Sequence, residues 1–553
     1  MRKPSAHEVD IAILGSGASG THGLLQILSL LAERKSSLDD GIRITVIDRD
    51  EQFHSGIPYG HRSGRSSLLI SALENFLPDR ERGEFISWLE ERREEMLAWA
   101  ADGLPPDSLL AQAMDRDWIL RHEDEVRAGR WDGLYLPRRL YGQYLAELVE
   151  RAVDLTRGFV EVDFVHADVN EVIGDGHGGA HLRERTSDGE VRFTLHACSM
   201  LLAIGSPPVR QLAVTDGDST VIDDHLAAGF VDDIHAPGIE HVIERIKGRL
   251  MSLPLEKREI LLVGGNADAL EFLLASHRLR QDTGARLTIL SPQGRPHHWH
   301  HDRSDERAPT PIVDRLLESA AAETPLRARE LHAAVRAELA ASVDHHSFKS
   351  KIEALIAAVG SSLAYMEDYE LCSMATEHGR AISDLLRQAG GDAVDLLDEG
   401  ISDGSIACVP GRFREALHLE GMLFADVDRP TASTLFPTVG APNTPDHGYA
   451  VIINATGFER VTDTHSPLLR QMLGAGTVKP SASKSGLALD GSFRANPGIF
   501  VLGPLIAGHH HGSSALWHIE SVVRIMQLAG KVAEELVADT LSRRSAREQL
   551  ITV

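Results

Sequence analysis

The chain has 553 residues, a formal charge of −25, and 42% hydrophobic against 25% charged residues. That is room for more than one domain in an ordinary globular composition, with a sign of charge that repels nucleic acid and anionic membranes. Cys198, Cys372 and Cys408 are dispersed with no CxxC, which excludes a dithiol redox centre, and no run has the roughly 18 apolar residues of a membrane span or the shorter run of a leader, so a cytoplasmic protein is expected.

From the N-terminus, 9–14 reads as a short buried strand and 21–33 as an amphipathic helix. "IRITVIDRD" (42–50) is a second buried strand ending in an acid, which completes a βαβ unit. Residues 74–130 are charged and helix-rich, broken at Pro105-Pro106, and another helix covers about 141–153. Strand-like alternation follows at 159–173 and 191–204. Near 258, "REILLVGGNADALEFLLASHRL" repeats the order strand, glycines, helix, and "ARLTILSPQG" is its next strand. Helical segments fill 312–400, "YAVIINATGFE" and "GIFVLGPLIAGHHHG" are two more strand-plus-glycine units, and 515–538 is a closing helix. Two dinucleotide-type units about 250 residues apart predict an α/β fold: two nested Rossmann-like, doubly wound domains with a helical insertion. The expected division gives 1–205 and 440–553 to the first domain, 206–310 to the second, and 311–439 to the insertion and the return.

Gly15-Ser16-Gly17-Ala18-Ser19-Gly20 fits G-x-G-x-x-G. Gly15 allows the tight turn, Gly17 lets the backbone approach a pyrophosphate, and Gly20 lets helix and strand pack closely. Asp48, at the tip of the next strand, is placed to take a ribose hydroxyl pair, although its spacing exceeds the usual interval of about 20 residues. Gly264-Gly265-Asn266-Ala267-Asp268-Ala269 is a degraded version of the same turn. The strand that follows it ends without an acid, and Arg295 lies beyond, a pairing that favours the 2′-phosphate of NADPH over NADH. The alternative is a vestigial half that binds nothing.

The series GxGxSG, "SGIPYG" (55–60), "FISWL" (85–89), "YLPRRLYGQYL" (135–145), "LAIGSPP", "ILLVGGNADALE", "ATGFE" (455–459), "SPLLRQML" and "GIFVLGPLIAG" occurs in one order. It resembles the FAD/NAD(P)-binding family related to the two-dinucleotide flavin monooxygenases and amino-acid N-hydroxylases, over most of the chain except about 310–430. The resemblance implies FAD on the first unit, with Gly15, Ser16, Gly17, Ser19, Gly20 and Asp48 at its ADP half and Gly205 in "LAIGSPP" among the cofactor contacts. NADPH is implied on the second unit, at Gly264, Asn266 and Arg295. Thr456 and Gly457 would form the turn passing between the domains. Gly503 and Pro504 would lie beside the flavin, with the helix after Ser513 aiming its N-terminus at the ring's pyrimidine edge. Ile70 stands where relatives carry an Asn.

"HHWHH" (297–301) and "GHHHG" (508–512) lack the separated spacing of a metal site, so no metal is expected. On the family pattern His509, His510 and His511 fall near the flavin, as substrate or flavin partners or as ordinary loop histidines. Arg138 would meet a phosphate or a substrate carboxylate, or be surface charge at a helix start; Phe85 and Trp88 read as core. The implied activity is an FAD- and NADPH-dependent monooxygenase. A flavin C4a-hydroperoxide would pass oxygen from O2 to a small nucleophile such as an amine or amino-acid nitrogen. The alternatives are an NAD(P)H oxidoreductase without oxygen insertion and a non-catalytic flavin-binding protein. Substrate and oligomeric state stay open.

Overall fold

The computed structural model describes residues 7–35, 41–102, 108–176, 178–216, 227–292, 294, 308–322, 325–341, 348–387, 389–428, 447–512, 514–518 and 521–551. His7–Leu14 is a strand because its apolar residues are buried on both faces: Ile11, Ala12 and Ile13 are each at most 1% exposed. It lies between Ile42–Asp48 and Val191–Leu202, both parallel to it. The sheet continues through Val160–His166 on one side and Ile499–Val501 and Arg494–Asn496 on the other, with Ala180–Arg185 and Glu171–Gly174 as an antiparallel extension. Parallel strands need cover on both faces. The helix Ala18–Glu33 covers one face, packing against Arg138–Thr156 and Val522–Ile551. Phe85 and Trp88 are buried in a neighbouring aromatic core.

A second sheet is wholly parallel, in the order Ile406–Pro410, Arg286–Ser291, Glu259–Val263, Val451–Asn454, Phe230–Val231. A small sheet of Met422–Asp428, Arg412–Leu419 and Ala213–Asp216 packs beside it. Helices Pro311–Ala322, Ala328–Ala340, Phe348–Ser362 and Gly379–Leu386 share a core of their own, which takes in Trp517. Among the described residues, no helix is long and apolar enough to cross a membrane.

Three segments add detail to the expected elements, and the last corrects one. The strand Val451–Asn454 pairs with Glu259–Val263 in the second sheet. Helices extend to Asp403, close to the expected 400, and Ile406–Pro410 then continues the second sheet. The closing helix is Val522–Ile551, since Gly512 at φ +55 reverses the chain and Ser514–Leu516 pairs back onto His509–His511. The two links between the domains run side by side. Arg210 N–H donates to Gly457 O at 2.9 Å, Glu459 N–H to Pro208 O at 2.9 Å, and the Asn454 amide to Arg210 O at 2.7 Å.

Candidate dinucleotide site

The first glycine turn sits at the carboxyl end of the first sheet, where open α/β sheets bind ligands. Gly15 has φ +99, and a Cβ there would lie 2.4 Å from Ala203 O; at Gly20 it would lie 1.9 Å from Gly15 O. Both positions therefore require glycine. Gly17 differs: the nearest atom to a Cβ is Gly56 Cα at 3.5 Å, an ordinary van der Waals contact, so the protein's own packing does not force glycine there. The helix Ala18–Glu33 starts there with no side-chain cap and no acid in its first turn. Its leading N–H groups and positive dipole end are thus uncommitted to any side-chain cap, an arrangement that suits phosphate.

Asp48 braces this turn. One carboxylate oxygen accepts from Ser16 N at 2.6 Å and Ser16 Oγ at 2.9 Å, and the other from Asp50 N at 2.9 Å. Gly503, at φ +95, lies against Ser19, where a Cβ would meet Oγ at 2.4 Å; Pro504 opens the short helix Pro504–Ile506. Gly205, at φ +80, has open space around it. "SGIPYG" forms the short helix Gly56–Tyr59 laid on Gly17, and Gly142 lets the helix Arg138–Thr156 approach Tyr59 O. The bare helix start and the turn braced by Asp48 fit a dinucleotide's pyrophosphate.

The second turn begins alike. Gly264 has φ +128, and a Cβ would lie 1.9 Å from Ala455 O. Beyond it the residues diverge. Asn266 Oδ1 accepts from Ala269 N at 3.3 Å, capping the helix Ala267–Ala275, and the Asn266 amide donates to Asp268 at 3.3 Å. Asp268 is in the first helical turn and Glu271 follows one turn on. Glu271 accepts from Ser67 Oγ at 2.6 Å, Ser63 Oγ at 3.2 Å and Gly64 N at 3.3 Å, all from the first domain, and pairs with Arg138. His235 Nε2 is 3.7 Å from both carboxylates. Burial works to raise the Asp268 carboxyl, but His235, Arg138 and Asn266 outweigh it and hold it below its ordinary value. Burial lowers Arg138 to about 10, still charged at neutral pH.

Arg138 is thus engaged between the domains, and its Nε also donates to Ser63 Oγ at 2.6 Å. Thr456 and Gly457 lie at the second turn: Thr456 Oγ1 donates to Asn454 Oδ1 at 2.8 Å, and a Cβ on Gly457 would be 3.5 Å from the Asn266 amide. His509 and His511 are half-buried and His510 exposed, as alternation along a strand demands. His509 bonds Leu487 O at 2.6 Å, and His511 packs on Phe493 with ring centroids 5.1 Å apart. Ile70 is 45% exposed. Arg295 and "HHWHH" lie outside the described residues. Ser63, Ser67, His235 and Glu271 were not singled out from sequence; the one local signal was the pair of acids at i, i+3 opening a helix.

A family described as FAD-NAD(P)-binding matches residues 12–207, which contain the first turn. Uncharacterized proteins of Mycobacterium tuberculosis and Mycobacterium bovis are 30% identical to the chain over 537 residues, 96% of it and 95% of each of them. Among solved structures, an ornithine N-hydroxylase of Kutzneria sp. 744 is 12% identical with a TM-score of 0.45, covering 97% of this chain and 100% of that one. The bacillithiol disulfide reductase of Bacillus cereus is 11% identical with a TM-score of 0.41, covering 96% and 99%. Through the first-domain match and the mycobacterial relatives that share nearly its whole length, the chain belongs to the FAD-NAD(P)-binding family.

Proposed function

We propose that the protein is a flavin-dependent oxidoreductase that holds FAD on the first glycine turn. The observation that carries this reading is the uncapped, acid-free helix start at Gly17, beside Asp48 and Gly503. Bound FAD supplies the redox chemistry. The chain's part is to place the pyrophosphate on the N–H groups that follow Gly17 and to hold the turn rigid through the Asp48–Ser16 bonds.

The finer reading, oxygen insertion into the nitrogen of a small amine or amino acid, draws on the sequence resemblance and on one cavity. About 320 Å³ in volume, it adjoins the helix laid on Gly17 and is lined by Gln52, His61, Arg65, Arg139 and Glu240 among others. Arg65 and Arg139 pair with Glu240 there at 2.8 and 3.1 Å, and a zwitterion would bind by exchanging with that pair, its carboxylate on the arginines and its ammonium on the glutamate. A second reading, a flavin-binding protein without nicotinamide chemistry, is favoured by the Asn266 cap and Asp268 in the second turn.

The test is absorbance of the purified full chain. Wild type is expected yellow, and Gly17→Val colourless with an unchanged far-ultraviolet circular dichroism spectrum; a yellow variant sinks the FAD placement. Anaerobic reduction with dithionite, then oxygenated buffer with and without amino acids, separates the finer readings. A transient absorbance whose decay depends on an amino acid supports oxygen insertion, and immediate reoxidation under all conditions supports electron transfer alone.

A further inference from the structure

The two glycine turns share a chain path, and the family description names two cofactors, yet the second turn does not fit the second one. We infer that the turn at Gly264 refuses nicotinamide dinucleotides and serves as an interdomain clamp, its helix start filled by the protein's own groups. This stands apart from the flavin reading, because every residue it uses lies at the second turn or faces it.

Four observations carry it. Asn266 occupies the place of Gly17 and spends the Ala269 N–H on its own side chain, where a pyrophosphate needs a bare helix start. Asp268 puts a carboxylate in the first helical turn, an anion at the spot where two phosphate charges would come to rest. Ala269 stands in the place of Gly20, so the close packing of helix on turn that glycine allows in the first unit is not available here. Finally, the first domain reaches over: Arg138 pairs with Glu271, while Ser63, Gly64 and Ser67 donate to the same carboxylate. A dinucleotide would have to bring two negative charges to a cluster already holding two carboxylates, whose guanidinium, Arg138, is already paired with Glu271. The same cluster is the one group of His and acidic side chains close enough to hold a metal among the described residues, but the Arg138 guanidinium already sits on its Glu271.

The experiment is calorimetric titration of NADPH and NADH into the full chain, with flavin content read separately by absorbance. Wild type is expected to show no saturable binding up to about 1 mM, and the double variant Asn266→Gly/Asp268→Ser to bind at least about ten-fold below that limit. Asp268→Ser alone, expected to gain less, serves if the double variant fails to fold. Ala267→Trp, a bulky side chain on the exposed first helical residue, locates any binding that wild type does show. Wild-type binding abolished by Ala267→Trp overturns the inference, whereas wild-type binding indifferent to that change places the nucleotide elsewhere and upholds it. Silence in wild type and in both opened variants also overturns it, because refusal would then not come from Asn266 and Asp268.

Discussion

The two glycine turns begin with the same backbone device and end with opposite chemistry. Gly15 and Gly264 both take positive φ under a carbonyl of a neighbouring strand end, Ala203 in one case and Ala455 in the other. Three residues on, one helix starts bare and neutral, and the other starts capped, acidic and tied to a partner domain. The strand-end glycine therefore specifies only how the chain turns. What the turn can hold is decided within the first helical turn, where a cap or a carboxylate competes for the N–H groups a phosphate needs.

The comparison breaks most sharply at the third glycine. Gly20→Ala would drive a Cβ to 1.9 Å from Gly15 O, a backbone atom that cannot step aside, and is expected to cost more than about 5 kcal/mol and all bound flavin. The matching change in the second turn, Ala269→Gly, is expected to cost only about 1 kcal/mol, the ordinary helix penalty. Soluble yield and thermal melts of both variants check the asymmetry. Next comes the clamp: Glu271→Leu strands the buried Arg138 guanidinium and should cost about 3–5 kcal/mol, most of it recovered in Arg138→Met/Glu271→Leu, as read from melting temperatures.

Acid separates the two turns in a third way. His22, in the helix of the first turn, is buried against the Tyr141 hydroxyl at 2.9 Å, and burial lowers its pKa from 6.5 to about 4. Between those values the unfolded chain takes up a proton that the folded one refuses. Stability is thus complete above pH 6.5 and falls as pH drops toward 4, by at most about 3 kcal/mol. His22→Gln should make that slope shallower in melts taken from pH 7 to 4, leaving the part due to other buried histidines such as His54, which burial also lowers to about 4. Asp268, held below its ordinary value, contributes nothing in that window and loses its part only in stronger acid. The smallest effect is expected from Asn266→Ala, about 1 kcal/mol for a lost cap, measurable by the same melts.

The first βαβ unit was legible because hydrophobic runs and glycine spacing are local signals, and the helix–strand order around Gly264 was readable for the same reason. Partner choice was not. "YAVIIN" reads as a buried strand whichever sheet it enters, so nothing local said that it pairs with Glu259–Val263. Three histidines around a glycine read as loop, and only the pairing of His509 with Leu516 makes them a hairpin. Arg138 looked like free cation at a helix start; its partner, Glu271, is more than a hundred residues away, and no spacing rule links them.

The strand Ile499–Val501 and the helix Val522–Ile551 have a consequence for synthesis. The first sheet lacks the strand Ile499–Val501 beside Val191–Leu202, and the helix Ala18–Glu33 lacks its long partner, until residues 499–551 are made. The second sheet has all its strands once Asn454 is made. The unit that begins first is therefore the one that closes last, with the N-terminal glycine turn waiting, half-floored, through most of translation. On the proposed reading, cofactor loading waits for the helix Val522–Ile551, and loss of that helix removes the support of a site more than 500 residues upstream.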